Sequence, residues 1–132
     1  MSRHAKSFRD LEVYEKACCT AEKIFQLSRS FPREETYSLT DQIRRSAWSV
    51  GAHIAEAWGR RQYRRDFVRR LAGADSEQHE TQHWIRAAAV CGYITGAQEE
   101  ELTSEMAEIG RMLHGMMRKA HRFCRPTPAT DD

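Results

Sequence analysis

The feature that most constrains this chain is the return of apolar residues at three- and four-residue steps in four separate stretches. Leu11, Tyr14, Ala17, Cys18, Ala21, Ile24, Phe25 and Ser28 follow the period of one helical face. Ile43, Ala47, Val50, Ile54 and Trp58 repeat the pattern, as do Phe67, Leu71, Ala74, Gln78, Thr81, Trp84, Ile85, Ala88 and Cys91. Leu102, Met106, Ile109, Leu113, Met116 and Met117 form the fourth stripe. No stretch predicts a strand. Phe31-Pro32 ends the first helix, expected over 8–28, because a residue before proline avoids the α region. Ser38 with Asp41 reads as a capping box and Gly59 as the C-cap of the second helix. The third, over 63–90, has an unusually polar middle; Gly92 and Gly96 bracket the next connection, and Thr95 with Gln98 offers another capping box. Short loops between four amphipathic helices predict an all-α, antiparallel up-down-up-down four-helix bundle.

Composition agrees with one helical domain. Of 132 residues, 40% are apolar and 30% charged, while 7 Gly and 3 Pro are too few for the turns of many short strands. The bundle is expected over 8–124, between a flexible N-terminus at 1–7 and a disordered tail at 125–132 that holds Pro126 and Pro128. No apolar run approaches the ~20 residues of a membrane span, and residues 1–10 are polar where a signal peptide is apolar. The expectation is a soluble, cytoplasmic protein with no membrane partner. The cysteines, Cys18, Cys19, Cys91 and Cys124, lack CxxC spacing and read as reduced thiols, three of them in or near the core.

Charge is sharply segregated along the chain. Arg44, Arg45, Arg60, Arg61, Arg64, Arg65, Arg69 and Arg70 stand against Glu56 and Asp66, a balance of +6. Residues 75–108 invert it to −7, and 111–125 carry +5 with no acid. Such separation suits steering of polyanions or head-to-tail docking of copies. Arg65 and Arg69 lie one turn apart, opposite Phe67 and Leu71, so they are expected to face water near Arg60, Arg61 and Arg64. Arginine forks bind phosphates bidentately, and Tyr63 or Trp58 offers a ring on which a base can stack. The same arginines suit a contact with the acidic stretch of another subunit, and both uses remain open.

One catalytic motif occurs to the letter: His79-Glu80-Thr81-Gln82-His83 is an HExxH, which on a helix puts two histidines on one face for zinc and a general base beside them. Its extended form fails at Ala89, leaving only a helix-four acid such as Glu105 as third ligand, and a peptidase cleft has no strand to build on. His79 and His83 are therefore expected to bind metal only adventitiously, with no catalytic residue and no cofactor. Glycine patterns for nucleotide binding or a nucleophile elbow do not occur.

The block Phe31-Pro32-Arg33-Glu34-Glu35-Thr36-Tyr37-Ser38-Leu39-Thr40-Asp41-Gln42-Ile43-Arg44-Arg45-Ser46, with the segment from Phe8 to Tyr14, Ile54-Ala55-Glu56-Ala57, and Glu80-Thr81 followed by Trp84, resembles a bacterial family. Its members are small four-helix bundles encoded in intervening sequences of large-subunit ribosomal RNA genes, and they include the accessory protein of diversity-generating retroelements. The resemblance spans residues 8–123. It implies a ring-shaped homopentamer with a basic surface and, in the retroelement branch, binding of RNA or DNA and of a reverse transcriptase. Departures stand at His53, where the family often has Asn, and at His79 and His83, where it is apolar. Glu80 occupies a position that the family already fills with Glu, so the HExxH combines a family residue with two incidental histidines. The resemblance carries over no catalytic residues. The reading from sequence is a non-enzymatic, oligomeric nucleic-acid-binding bundle; the alternatives are an interaction oligomer that never touches nucleic acid and a zinc hydrolase.

Overall fold

Four helices form in chain order in the computed structural model, which describes residues 5–126: α1 (Glu12–Ser28), α2 (Leu39–Gly59), α3 (Arg64–Val90) and α4 (Gly96–Arg118). The expected terminal segments fall partly on residues 1–4 and 127–132, which lie outside the described residues. Sequential helices pack side by side and α1 closes against α4, so the topology is the expected up-down-up-down bundle. The ends of α2 and α4 therefore share one end of the bundle with the start of α3.

The apolar stripes form one core. Ile24, Ile43, Val50, Ile54, Phe67, Leu71, Ile85, Met106, Ile109 and Leu113 are fully buried within it, each contributing on the order of 1.5–3 kcal/mol relative to exposure. Met116, Met117 and Trp84 pack against its edge, half-buried. Tertiary contacts also account for the polar middle of α3. Thr81 Oγ1 lies 2.9 Å from Ser46 Oγ on α2 and donates to the Glu77 carbonyl at 2.8 Å. Gln78, only 2% exposed, donates to Asp75 at 2.9 Å and accepts from Gln82 at 2.7 Å. Buried polar groups are tolerable when paired in this way. Gly110 on α4 makes the space, since a Cβ there would sit 2.8 Å from Gln78 Nε2.

Several local expectations change. The first helix does not run unbroken from Phe8: Phe8–Asp10 is a separate 3-10 turn capped by Ser7, and Leu11 is extended before α1 starts. Ser38 forms no capping box with Asp41. A 3-10 turn at Arg33–Glu35 brings Glu35 back over the helix start instead, where its carboxylate accepts from the Ser38 hydroxyl at 2.6 Å and the Leu39 amide at 3.4 Å. Gly59 is the last residue of α2, and Arg60 is the C-cap. Only two cysteines, Cys18 and Cys124, are half-buried; Cys19 and Cys91 are exposed, and no disulfide forms among the described residues. Cys91 stands at the C-cap of α3, where the stripe has already left the core.

Two expectations hold in detail. Thr95 and Gln98 form the reciprocal capping box at 3.0 and 2.8 Å. Gly92 ends α3 with φ +79°, a left-handed conformation that glycine adopts without a Cβ penalty. Tyr93, just beyond it, donates to Glu35 at 2.7 Å and packs on Phe31 at 5.5 Å, joining the α1–α2 and α3–α4 connections.

Candidate nucleic-acid interface

The eight arginines divide into four kinds by their surroundings. Arg45, Arg60 and Arg70 spend charge within the chain. Arg45 bonds Glu80 and lies 3.6 Å from Glu77 on α3; Arg60 bonds Asp66; Arg70 reaches Glu56 at 3.4 Å and Asp66 at 3.8 Å. The Arg60 guanidinium holds the Asp66 carboxyl below its ordinary value. Arg44 and Arg61 are pinned on aromatic rings. Arg44 lies 4.5 Å over Phe25 and donates to Ser28 at 2.7 Å; Arg61 lies 3.5 Å over Trp58 and donates to its carbonyl at 2.8 Å. Arg64 is half-buried at the start of α3. Arg65 and Arg69 face water as expected, one turn apart, without a carboxylate partner among the described residues.

The aromatic expectation divides in the same way. Trp58 is half-buried with Arg61 across its ring, so its face is occupied. Tyr63, 51% exposed at the N-cap of α3, keeps an accessible ring with Arg60 5.5 Å from its centroid.

A second basic segment joins the first, and it was not among the site residues picked out from sequence. After α4 a 3-10 turn at Ala120–Arg122 folds the chain back, and Phe123 stacks on buried Phe67 with centroids 6.0 Å apart. The Arg125 amide then donates to the Arg61 carbonyl at 3.2 Å. Arg118, Lys119, Arg122 and Arg125, all exposed, thus share the bundle end that carries Arg60, Arg61 and Arg65. Burial first, and then the neighbouring Arg125 charge, push the Arg61 guanidinium below its usual value. Uncompensated like charges held this close favour an anion between them. The +5 stretch was visible in the sequence; its meeting with the +6 stretch needs the parity of the helices.

The HExxH takes a different arrangement from a metal centre. Glu80 accepts from Trp84 Nε1 at 3.0 Å and from Arg45, and these two bonds, Trp84 foremost, hold its carboxyl below the ordinary range. His79 has its Nδ1 3.0 Å from the Asp75 carbonyl, and His83 lies edge-on to Trp84 at 4.8 Å. Glu105, the third-ligand candidate, instead bonds Thr20 at 2.7 Å and Lys23 at 2.6 Å on α1. Among the described residues, no group of three or more His, Cys, Asp or Glu is placed to hold a metal ion. None of the helices within that range is long and apolar enough to cross a membrane.

No curated protein matches the chain. A solved crystal structure does: a protein of unknown function from the S23 ribosomal protein family of Bacteroides thetaiotaomicron VPI-5482, at 32% identity. The match covers 80% of this chain and 98% of that one, with a TM-score of 0.72. Residues 9–115 match the model of the 23S rRNA-intervening sequence proteins. Bundle topology, the Glu35 cap and the Arg45–Glu80–Trp84 clasp lie within that span, and the chain belongs to the 23S rRNA-intervening sequence protein family.

Proposed function

We propose that this protein is a non-enzymatic oligomer that binds the phosphate backbone of RNA or DNA through the basic end of its bundle. The observation that carries this reading is the convergence of Arg61, Arg65 and Arg69 with Arg118, Arg122 and Arg125, a set without carboxylate partners among the described residues. Arginines that are not neutralised within the chain are available to phosphates. Beside them Tyr63 supplies a ring for one stacked base. Sequence discrimination is expected to be weak, because no Asn or Gln array accompanies the arginines to read base edges. The family resemblance supports a ring-shaped homopentamer, the polar N-terminus and the lack of a spanning apolar run suit a cytoplasmic location, and an accessory role beside a reverse transcriptase in a retroelement is the most specific version of this reading.

The test changes Arg61, Arg65 and Arg69 together to Gln. Affinity for unrelated RNA and DNA sequences is expected to fall about equally, and the slope of log K against log salt to flatten by up to roughly three, about one per lost phosphate contact. Light scattering on the same variant reports whether the assembly persists. An intact oligomer with unchanged affinity and slope would exclude this surface, and a wild-type protein that binds no nucleic acid at low salt would leave the interaction oligomer as the function. Co-purification with the product of a neighbouring reverse-transcriptase gene tests the accessory role.

A further inference from the structure

The seam between α1 and α4 is the most open of the four, and a groove of about 570 Å³ runs along it. Leu27, Leu102 and exposed Cys19 supply apolar surface there, and Glu22, Lys23 and Glu101 wall it. On another face of the same bundle α2 presents Trp48, 45% exposed, with Arg45 one turn before it and Ala52 one turn after. An indole left in water and a groove left unfilled are complementary deficits, since Trp is enriched at the buried centres of protein interfaces.

We propose that Trp48 of one copy seats in the α1/α4 groove of the next, making this contact the seam of the oligomer; the inference rests on the ring assembly proposed above. Three observations select a second copy as the occupant. The first is charge: Glu22 and Glu101 stand on the groove wall, and Lys23 is already engaged by Glu101 at 3.1 Å and Glu105 at 2.6 Å. The turn that carries Trp48 also carries Arg44, which stacks on Phe25 with no carboxylate partner among the described residues and is opposite in sign to that wall, whereas the charge of Arg45 is already met by Glu77 and Glu80. The second is level. From Gly96 to Leu102 α4 rises about 9 Å, and from Leu39 to Trp48 α2 rises about 14 Å, at 1.5 Å per residue. Both helices start at the same end, so knob and groove lie within about one helical turn of each other in height. A closed ring whose axis runs along the bundle requires this, because it has no rise per subunit. The third is direction: different patches on different faces make a heterologous contact, the kind that generates rings.

Cys19 is an internal reporter for the test. In the full-length chain with Cys18, Cys91 and Cys124 changed to Ser, the alkylation rate of Cys19 is expected to fall at least tenfold as concentration rises through assembly. Trp48→Ala should restore the fast rate and lower the mass found by light scattering, with helical content unchanged by circular dichroism. A second measurement mixes that chain with one in which Trp48→Cys provides the sole thiol; mild oxidation should yield a disulfide between positions 19 and 48 of different chains. Rapid alkylation of Cys19 within an intact oligomer would overturn the seam while leaving the ring standing. So would an oligomer that tolerates Trp48→Ala. Protection of Cys19 that Trp48→Ala does not relieve would overturn it in favour of another occupant, such as a foreign helix. A wild-type protein that stays monomeric at every concentration would overturn both readings.

Discussion

Phe123 stacks on Phe67 with ring centroids 6.0 Å apart, and this contact, with the Arg125 amide bond to the Arg61 carbonyl, brings the basic residues after α4 beside those that open α3. Phe67 is fully buried and belongs to the core, whereas Phe123 is half-buried and is the largest anchor of its segment, beside buried Ala120, core-packed Cys124 and the Arg125 amide bond to Arg61. Phe123→Ala is therefore expected to cost about 1–2 kcal/mol, roughly half of full burial, and to release the segment without unfolding the bundle. Arg122 and Arg125 would then leave the site, so nucleic-acid affinity should fall and the salt slope flatten by about two. Thermal melts alongside binding titrations check both outcomes.

The Glu35–Tyr93 bond makes stability depend on pH at both extremes. The Ser38 hydroxyl first, and Tyr93 second, hold the Glu35 carboxyl below its ordinary 4.5. An unfolded chain thus takes up that proton more readily, so this stabilisation is present above pH 4.5 and is lost as pH falls through the folded value. Tyr93 has the opposite sign: the Glu35 carboxylate raises its phenol from 10.0 to about 12. That contribution is complete below pH 10 and is lost as pH rises toward 12. Tyr93→Phe should remove the share of the alkaline limb of a melting-temperature profile that Tyr93 supplies, leaving the shares of Tyr14 and Lys23, whose values are also raised, and should flatten the acid limb only in part, because Ser38 remains.

Gly110 faces Gln78 across the α3/α4 seam. A Cβ there would meet Gln78 Nε2 at 2.8 Å and Asp75 Oδ1 at 3.2 Å, both tied into a hydrogen-bonded network. The gain of helix propensity, about 1 kcal/mol for Gly to Ala, is expected to be outweighed by the crowding, about 1–3 kcal/mol. Gly110→Ala should therefore lower the denaturation midpoint. By contrast, Gly59 has open space around its Cβ position and sits in the last turn of α2, so Gly59→Ala should be neutral or stabilising by up to about 1 kcal/mol.

Glu80 is engaged as a clasp between α2 and α3, and its replacement should behave accordingly. Glu80→Gln keeps an acceptor for Trp84 but loses the ion pair with Arg45, whose side chain is 44% exposed. The expected cost is about 0.5–1 kcal/mol after solvent screening. Zinc content of protein purified without a histidine tag should be well under one ion per chain in both wild type and variant. Stoichiometric zinc lost on changing His79 and His83 would contradict this role.

Local periodicity was enough to determine the four helices and their buried faces. The Thr95–Gln98 box was legible for the same reason: its groups lie within four residues of one another, where backbone geometry leaves few alternatives, whereas Gly92 was read only as a bracket of the connection and its left-handed φ belongs to the structure. Ser38 marks where that legibility ends, since its acid partner comes from Glu35, delivered from upstream by a 3-10 turn that residue spacing did not reveal. The polar residues in the middle of α3 gave no local sign of their partners; Ser46 lies 35 positions from Thr81, and only packing brings them together. The arginines show the same division most sharply. Their number and clustering were plain from the chain, but long-range neighbours decide which keep their charge for a partner. Glu80 takes up Arg45, Asp66 takes up Arg60, and the fold-back at Phe123 adds Arg125 beside Arg61. Charge along a sequence is a sum over neighbours in the chain, whereas electrostatic energy depends on distance in space, and only the tertiary structure sets that distance.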